Sequence, residues 1–133
     1  KNMVAAMKWL VSGARAGDHL FLHYSGHGSQ TEDTDGDELD GKDEALVPVD
    51  FRQGGMISDD DLRRILVQDL PKDCRLTVIL DCCHSGTALD LPYRVIASEA
   101  GLDVKKKPSH KLPRPAAGEV VLLSGCQDDQ TSA

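Results

Sequence analysis

Long hydrophobic runs are missing from this sequence: the longest purely apolar stretches are only a few residues, whereas crossing a bilayer takes about 20. No stretch is long enough for a membrane span and none resembles a secretory signal peptide, so a soluble chain is expected. The four cysteines lie at 74, 82, 83 and 126 and form no C-x-x-C pair, so neither a disulfide framework nor a structural zinc site is indicated. A reducing, cytoplasmic setting is expected. Aromatic side chains make up only 4% of the 133 residues, yet hydrophobic residues reach 40%, which suits one globular domain or part of one and argues against disorder throughout. No internal repeat is present.

Basic charge is also scarce, with 15 Lys and Arg against 22 Asp and Glu, and the formal charge is -7. One stretch carries the whole imbalance. Residues 32–44 hold Glu32, Asp33, Asp35, Asp37, Glu38, Asp40, Asp43 and Glu44 against the single base Lys42, and the rest of the chain sums to zero. Such a chain repels nucleic acid and anionic membrane, so neither is expected as a partner, while a concentrated acidic loop invites cations or basic peptide.

What is present reads as alternating helices and strands. Met3, Val4, Met7, Leu10 and Val11 recur at helical spacing, and Gly13 and Gly17 punctuate the end. Residues 18–24 form a nearly continuous apolar run that breaks into Ser25-Gly26-His27-Gly28, as a buried parallel strand ending in a loop would. The same grammar recurs at residues 76–80 before Asp81-Cys82-Cys83-His84-Ser85-Gly86, and at residues 120–123 before Ser124-Gly125. Between the first two strands the acidic loop leads to a hairpin expected at residues 45–49 against Met56 and Ile57, turning near Gly54 and Gly55. A helix from Ser58 to about Asp69 follows, opened by a capping box of Ser58 and Asp61. The pattern predicts an α/β parallel sheet. Residues 105–115, basic and rich in proline, are expected as an exposed loop. With few strands, a start inside a helix and a stop just after a strand, the chain is expected to be a fragment of a larger domain.

In open parallel sheets the functional crevice lies beyond the carboxyl ends of the strands, and two such ends carry His27 and Cys83. A thiol and an imidazole brought together there form the minimal unit for acyl transfer: the thiolate attacks a carbonyl carbon and the imidazole handles the proton. The neighbouring glycines let a substrate backbone approach and leave peptide N–H groups free for an oxyanion. Either residue alone reads more simply as a turn histidine or an inert buried thiol; two like-placed strand ends favour the pair. His84 is the rival base, although a sequence neighbour of Cys83 usually points elsewhere. His19 and His23 are expected to be core histidines, and Cys74, Cys82 and Cys126 packing residues.

Tyr24-Ser25-Gly26-His27-Gly28, Pro48-Val49-Asp50 after an acidic loop, and above all Asp81-Cys82-Cys83-His84-Ser85-Gly86 with Leu89-Asp90-Leu91-Pro92-Tyr93 closely resemble a type I metacaspase. The resemblance runs through nearly the whole chain and is weakest in the basic loop. It implies a caspase-like α/β fold, a mostly parallel sheet flanked by helices, with residues 1–133 matching the large-subunit part of the catalytic domain. It also implies a Cys/His endopeptidase that cleaves after Arg or Lys, with calcium as cofactor. By position, Cys83 matches the nucleophile, His27 its partner, the backbone N–H groups of Gly28 and Cys83 the oxyanion hole, and Asp81 and Ser25 the pocket for the basic side chain. Asp43, Asp59, Asp60 and Asp90 match calcium ligands. The family's first strand and the small-subunit segment that completes the sheet are not in the sequence.

Elementary chemistry supports part of this. Asp81 shares strand parity with Cys83, so a carboxylate near the nucleophile could receive a guanidinium or ammonium, although it could equally be a strand-end acid accepting turn N–H bonds. Calcium needs hard oxygen ligands, which Asp43, Asp59 and Asp60 could supply, although acids at 59–61 also complement a helix N-terminus. An EF-hand does not fit: with Gly36 at the sixth position, Lys42 falls at the twelfth, where a bidentate Glu is required. The basic loop offers Lys105, Lys106 and Lys111 as self-cleavage candidates; Pro108 and Pro115 disfavour cutting after Lys107 or Arg114. The alternative is a catalytically inactive, calcium-responsive interaction module of the same fold.

Overall fold

The computed structural model describes residues 2–32, 42–99, 101–106 and 115–126. Helix α1 (Asn2–Val11) leads into β1 (His19–Ser25), and β2 (His27–Glu32) begins after the single residue Gly26. β3 (Lys42–Val47), the helical turn α2 (Phe51–Gly54), β4 (Ile57–Ser58) and α3 (Asp59–Leu66) follow, then β5 (Arg75–Asp81), the β6 (Tyr93–Ser98) and β7 (Gly101–Lys106) pair, and β8 (Glu119–Ser124).

β5 is the centre of a three-stranded, all-parallel sheet in the order β1-β5-β8. Its alternation explains why: Leu76, Val78 and Leu80 are fully buried, each stabilising the fold by roughly 1.5–3 kcal/mol, while the intervening residues face the other way. The buried side joins Met7 of α1 and Leu62 and Leu66 of α3 in one core, to which Leu20, Leu22 and Tyr24 of β1 and Val120 and Leu122 of β8 are packed. α3 starts as its sequence demands, the Ser58 side chain accepting from the Asp61 N–H at 3.2 Å. Among the described residues no helix is long and apolar enough to cross a membrane.

Two expectations are corrected and one is refined. His19 and His23 are exposed, because they share parity with Phe21, 58% exposed, on the face opposite the one that packs on the helices. The expected hairpin is present, Ala45 and Leu46 of β3 pairing antiparallel with Ser58 and Ile57 of β4, with α2 in the connection and β2 on the other side of β3. The segment expected as a basic loop begins inside β7: Lys105 and Lys106 are exposed strand residues paired with Arg94 and Tyr93. Its remainder to Arg114, including Lys111, lies outside the described residues, as does most of the acidic loop, whose flanks Glu32 and Lys42 pair at the ends of β2 and β3.

Candidate active site

β1 and β5 end side by side, Ser25 in register with Asp81, and the chain then turns at Gly26, whose N–H donates to the Asp81 carbonyl at 3.3 Å. That turn carries His27 into the second sheet. The next residue fixes its place: a Cβ on Gly28 would stand 1.9 Å from the Cys83 carbonyl oxygen and 3.3 Å from the Cys82 Sγ. Only a glycine lets the His27 strand lie this close against the turn that bears Cys83, which is how the two strand ends are brought together.

The cysteine turn is held from beneath. Its His84 adopts a left-handed conformation at φ 49°, and Ser85, 0% exposed, places its Oγ 2.9 Å from the Cys82 carbonyl oxygen and 2.8 Å from the Ser124 Oγ. Ser124 also accepts from the Cys126 N–H at 3.3 Å, so the ends of β5 and β8 are tied together. Ser85 and Ser124 escaped sequence reasoning; both stand at strand ends beside glycines, the one signal that could have singled them out. The two adjacent thiols differ sharply. Cys83 is half-buried, whereas Cys82 is 1% exposed and its pKa is pushed up to about 11, by burial first and then by the charges on Cys83, Cys126 and Asp81, against a lowering hydrogen bond from Ser85. Cys82 is thus a buried thiol held protonated at neutral pH, and Cys83 is the more accessible of the two. His27, Ser25 and Asp81 are exposed.

A second group of acids lies where β3 meets α3. Asp43, Glu44, Asp59 and Asp90 are all buried, and Asp60 is exposed. The Asp59 carboxylate accepts from the Glu44 N–H at 3.1 Å and the Asp60 N–H at 2.8 Å; Arg63 donates to the Leu89 and Asp90 carbonyls at 3.1 Å each. Glu44, unassigned by sequence because it looked like one more acid of a loop, accepts from Thr87 and Gln30. Among the described residues no three His, Cys, Asp or Glu side chains stand as a ready metal-binding group.

A metacaspase model, peptidase C14 domain, matches residues 1–92. The chain belongs to the metacaspase family. Metacaspase-1 of Mycosarcoma maydis is 43% identical over all of this chain and 43% of its own length, and Metacaspase-1 of Arabidopsis thaliana 48% identical over all of this chain and 37% of its own. The chain spans less than half the length of these relatives. Protein GSU0716 of Geobacter sulfurreducens has a crystal structure that covers 98% of this chain and 53% of its own, with a TM-score of 0.63 at 27% identity. The metacaspase chain accordingly has a caspase-like α/β fold, a parallel sheet flanked by helices.

In this metacaspase, burial pushes the Asp59 carboxyl up to about 8, the charges of Asp90 and Glu44 adding and the N–H groups of Asp60 and Glu44 opposing. The folded value stands above the unfolded 3.8, so between them the native chain holds a proton that the unfolded chain has released. The stability this contributes is complete below the unfolded value and is lost as pH rises toward 8, at up to about 1.4 kcal/mol per pH unit. In chelator the unfolding midpoint should therefore fall between pH 5 and pH 8. Asp59→Asn should flatten that slope in a calorimetric pH series; an unchanged slope would place the titrating group elsewhere.

Proposed function

We propose that the protein containing this chain is a cysteine endopeptidase that cleaves after Arg or Lys through an acyl-enzyme on Cys83. The observation that carries the reading is the close approach of Gly28 to the Cys83 backbone, which brings the turn that bears His27 beside the turn that bears Cys83. His27 takes the thiol proton of Cys83 as the Sγ attacks the scissile carbonyl carbon, and the electron pair of the C=O bond moves to oxygen, where the Gly28 and Cys83 N–H groups donate to it. Collapse of this intermediate breaks the C–N bond as His27 gives its proton to the leaving amine. Water, deprotonated by the same imidazole, then cleaves the thioester and restores the thiol.

Asp81 and Ser25, exposed and in register at the strand ends, supply the partner for a basic side chain; a pocket headed by a carboxylate repels an acidic one. Asp43, Asp59, Asp60 and Asp90 would hold calcium, with Glu44 buried beside Asp59 as a further oxygen donor. The donor set is all hard oxygen and burial leaves Asp59 in need of a positive neighbour, so an ion of this kind would have to draw these acids together from the positions they hold here. Calcium, when bound, supplies fixed positive charge that lets these acids ionise together. Self-processing at Lys105, Lys106 or Lys111 belongs to the same reading; at the first two the β6–β7 pairing must open before an extended chain can enter the site.

Peptides with Arg, Lys or Asp before the scissile bond, offered to the full-length protein in calcium and in chelator, test this directly. Cleavage of the basic peptides alone, faster in calcium, is expected, and Asp81→Asn should lower the basic preference roughly 10- to 100-fold, the loss of about 1.5–3 kcal/mol for a charge-assisted hydrogen bond. Unchanged preference in the variant would assign the pocket to another acid, and equal rates in chelator would remove calcium.

A further inference from the structure

Tyr24 is the last residue of β1 on its core-facing side, yet its hydroxyl reaches out of that strand into the second sheet. It lies 2.9 Å from the His27 carbonyl oxygen and 3.3 Å from the Val47 carbonyl oxygen. His27 and Val47 are cross-strand partners, the first pair of β2 with β3. A phenol has one proton to donate, so these two carbonyls share it, and one hydroxyl holds both sides of the pair from which His27 projects. Burial raises the Tyr24 pKa above its ordinary value of 10.0, which keeps the group a donor across the physiological range. The ring also fills the space beneath the turn: a Cβ on Gly26 would stand 2.6 Å from the hydroxyl and 2.8 Å from the ring carbon that bears it.

We propose that Tyr24 is a positioning residue for His27, its hydroxyl fixing the first residue of β2 so that the imidazole meets the Cys83 thiol. This inference rests on the dyad reading above. Its logic is leverage. His27 is exposed, so backbone placement rather than packing of the ring sets where the imidazole stands, and only Gly26 separates β1 from β2. On the other side Gly28 leaves no slack against Cys83. Without the hydroxyl, the carbonyls of His27 and Val47 lose their shared donor and the start of β2 can drift. A displacement of about 1 Å between reacting groups can cost about 100-fold in rate.

The test follows two readouts on the full-length protein: kcat and KM for an Arg peptide, and the rate of Cys83 alkylation by iodoacetamide from pH 5 to pH 9, mapped by peptide mass spectrometry. Tyr24→Phe keeps the ring and removes the donor. The expected result is a 10- to 100-fold lower kcat, a KM within about twofold, and Cys83 alkylation slowed toward the rate seen in His27→Ala. A purely structural role would lower the unfolding temperature and leave the alkylation profile of the folded protein in place, which would overturn the proposal. A raised KM at unchanged kcat would overturn it too. If Tyr24→Phe does not fold, Gly26→Ala, which retains the tyrosine and displaces its ring, must show the same two changes, and a wild-type profile there refutes the idea. His27→Ala separates the two levels: identical alkylation in His27→Ala and wild type removes the dyad itself, whereas a clear His27 effect beside an unaltered Tyr24→Phe removes only the role of Tyr24.

Discussion

Cys83→Ala in the full-length protein is expected to abolish peptide hydrolysis while leaving the circular dichroism spectrum and the unfolding midpoint close to wild type. Loss of the sulfur removes the covalent route altogether, and a half-buried side chain on a turn contributes little to the core. Cys82→Ala is expected to behave in the opposite way. Its thiol is 1% exposed and held protonated by a pKa near 11, so it contributes packing and no chemistry. The variant should lose about 1 kcal/mol of stability and keep most of its activity. The contrast matters because the residues are neighbours in sequence, and a dead Cys82→Ala beside an active Cys83→Ala would invert the site.

Gly28→Ala is expected to be nearly as severe, by a different route. The added Cβ would lie 1.9 Å from the Cys83 carbonyl oxygen, far inside any real contact, and the atom in its way is backbone rather than the end of a flexible side chain. Neither strand end can move freely, since Ser85 and Ser124 tie the cysteine turn to β8 and the Tyr24 hydroxyl holds the start of β2. Overpacking of this kind costs about 1–3 kcal/mol, and the displacement of His27 from Cys83 should lower kcat at least about 100-fold. Steady-state kinetics with a thermal melt would check both. A Gly28→Ala protein of ordinary activity would mean that the two strand ends are not packed as described.

The parts of this fold that announced themselves did so through burial. β1, β5 and β8 are short apolar runs that stop at glycine-containing turns, and α3 opens on a serine whose side chain caps it. The candidate dyad was legible for the same reason, since strand ends in a parallel sheet share one edge. β2 was not, because His-Gly-Ser-Gln-Thr-Glu carries no hydrophobic pattern; it is a strand through its pairing with β3. The β6–β7 pair went unseen because Tyr93, Val95, Leu102 and Val104 are exposed and make no core to signal it. Periodicity also could not say which parity of β1 would be covered, so His19 and His23 were assigned to the wrong face. Glu44 shows the converse: an acid among acids in sequence, yet buried beside Asp59 once β3 packs on α3.

The central claim, a Cys83 nucleophile paired with His27, is tested most directly by trapping the acyl step. Full-length protein would be incubated with a peptide ending in Arg that carries a thiol-reactive group in place of the scissile bond, then mapped by mass spectrometry. The account predicts one adduct, on Cys83, forming rapidly in wild type and at least about 100-fold more slowly in His27→Ala. An adduct on Cys82, or labelling of Cys83 at the same rate in His27→Ala, would contradict it.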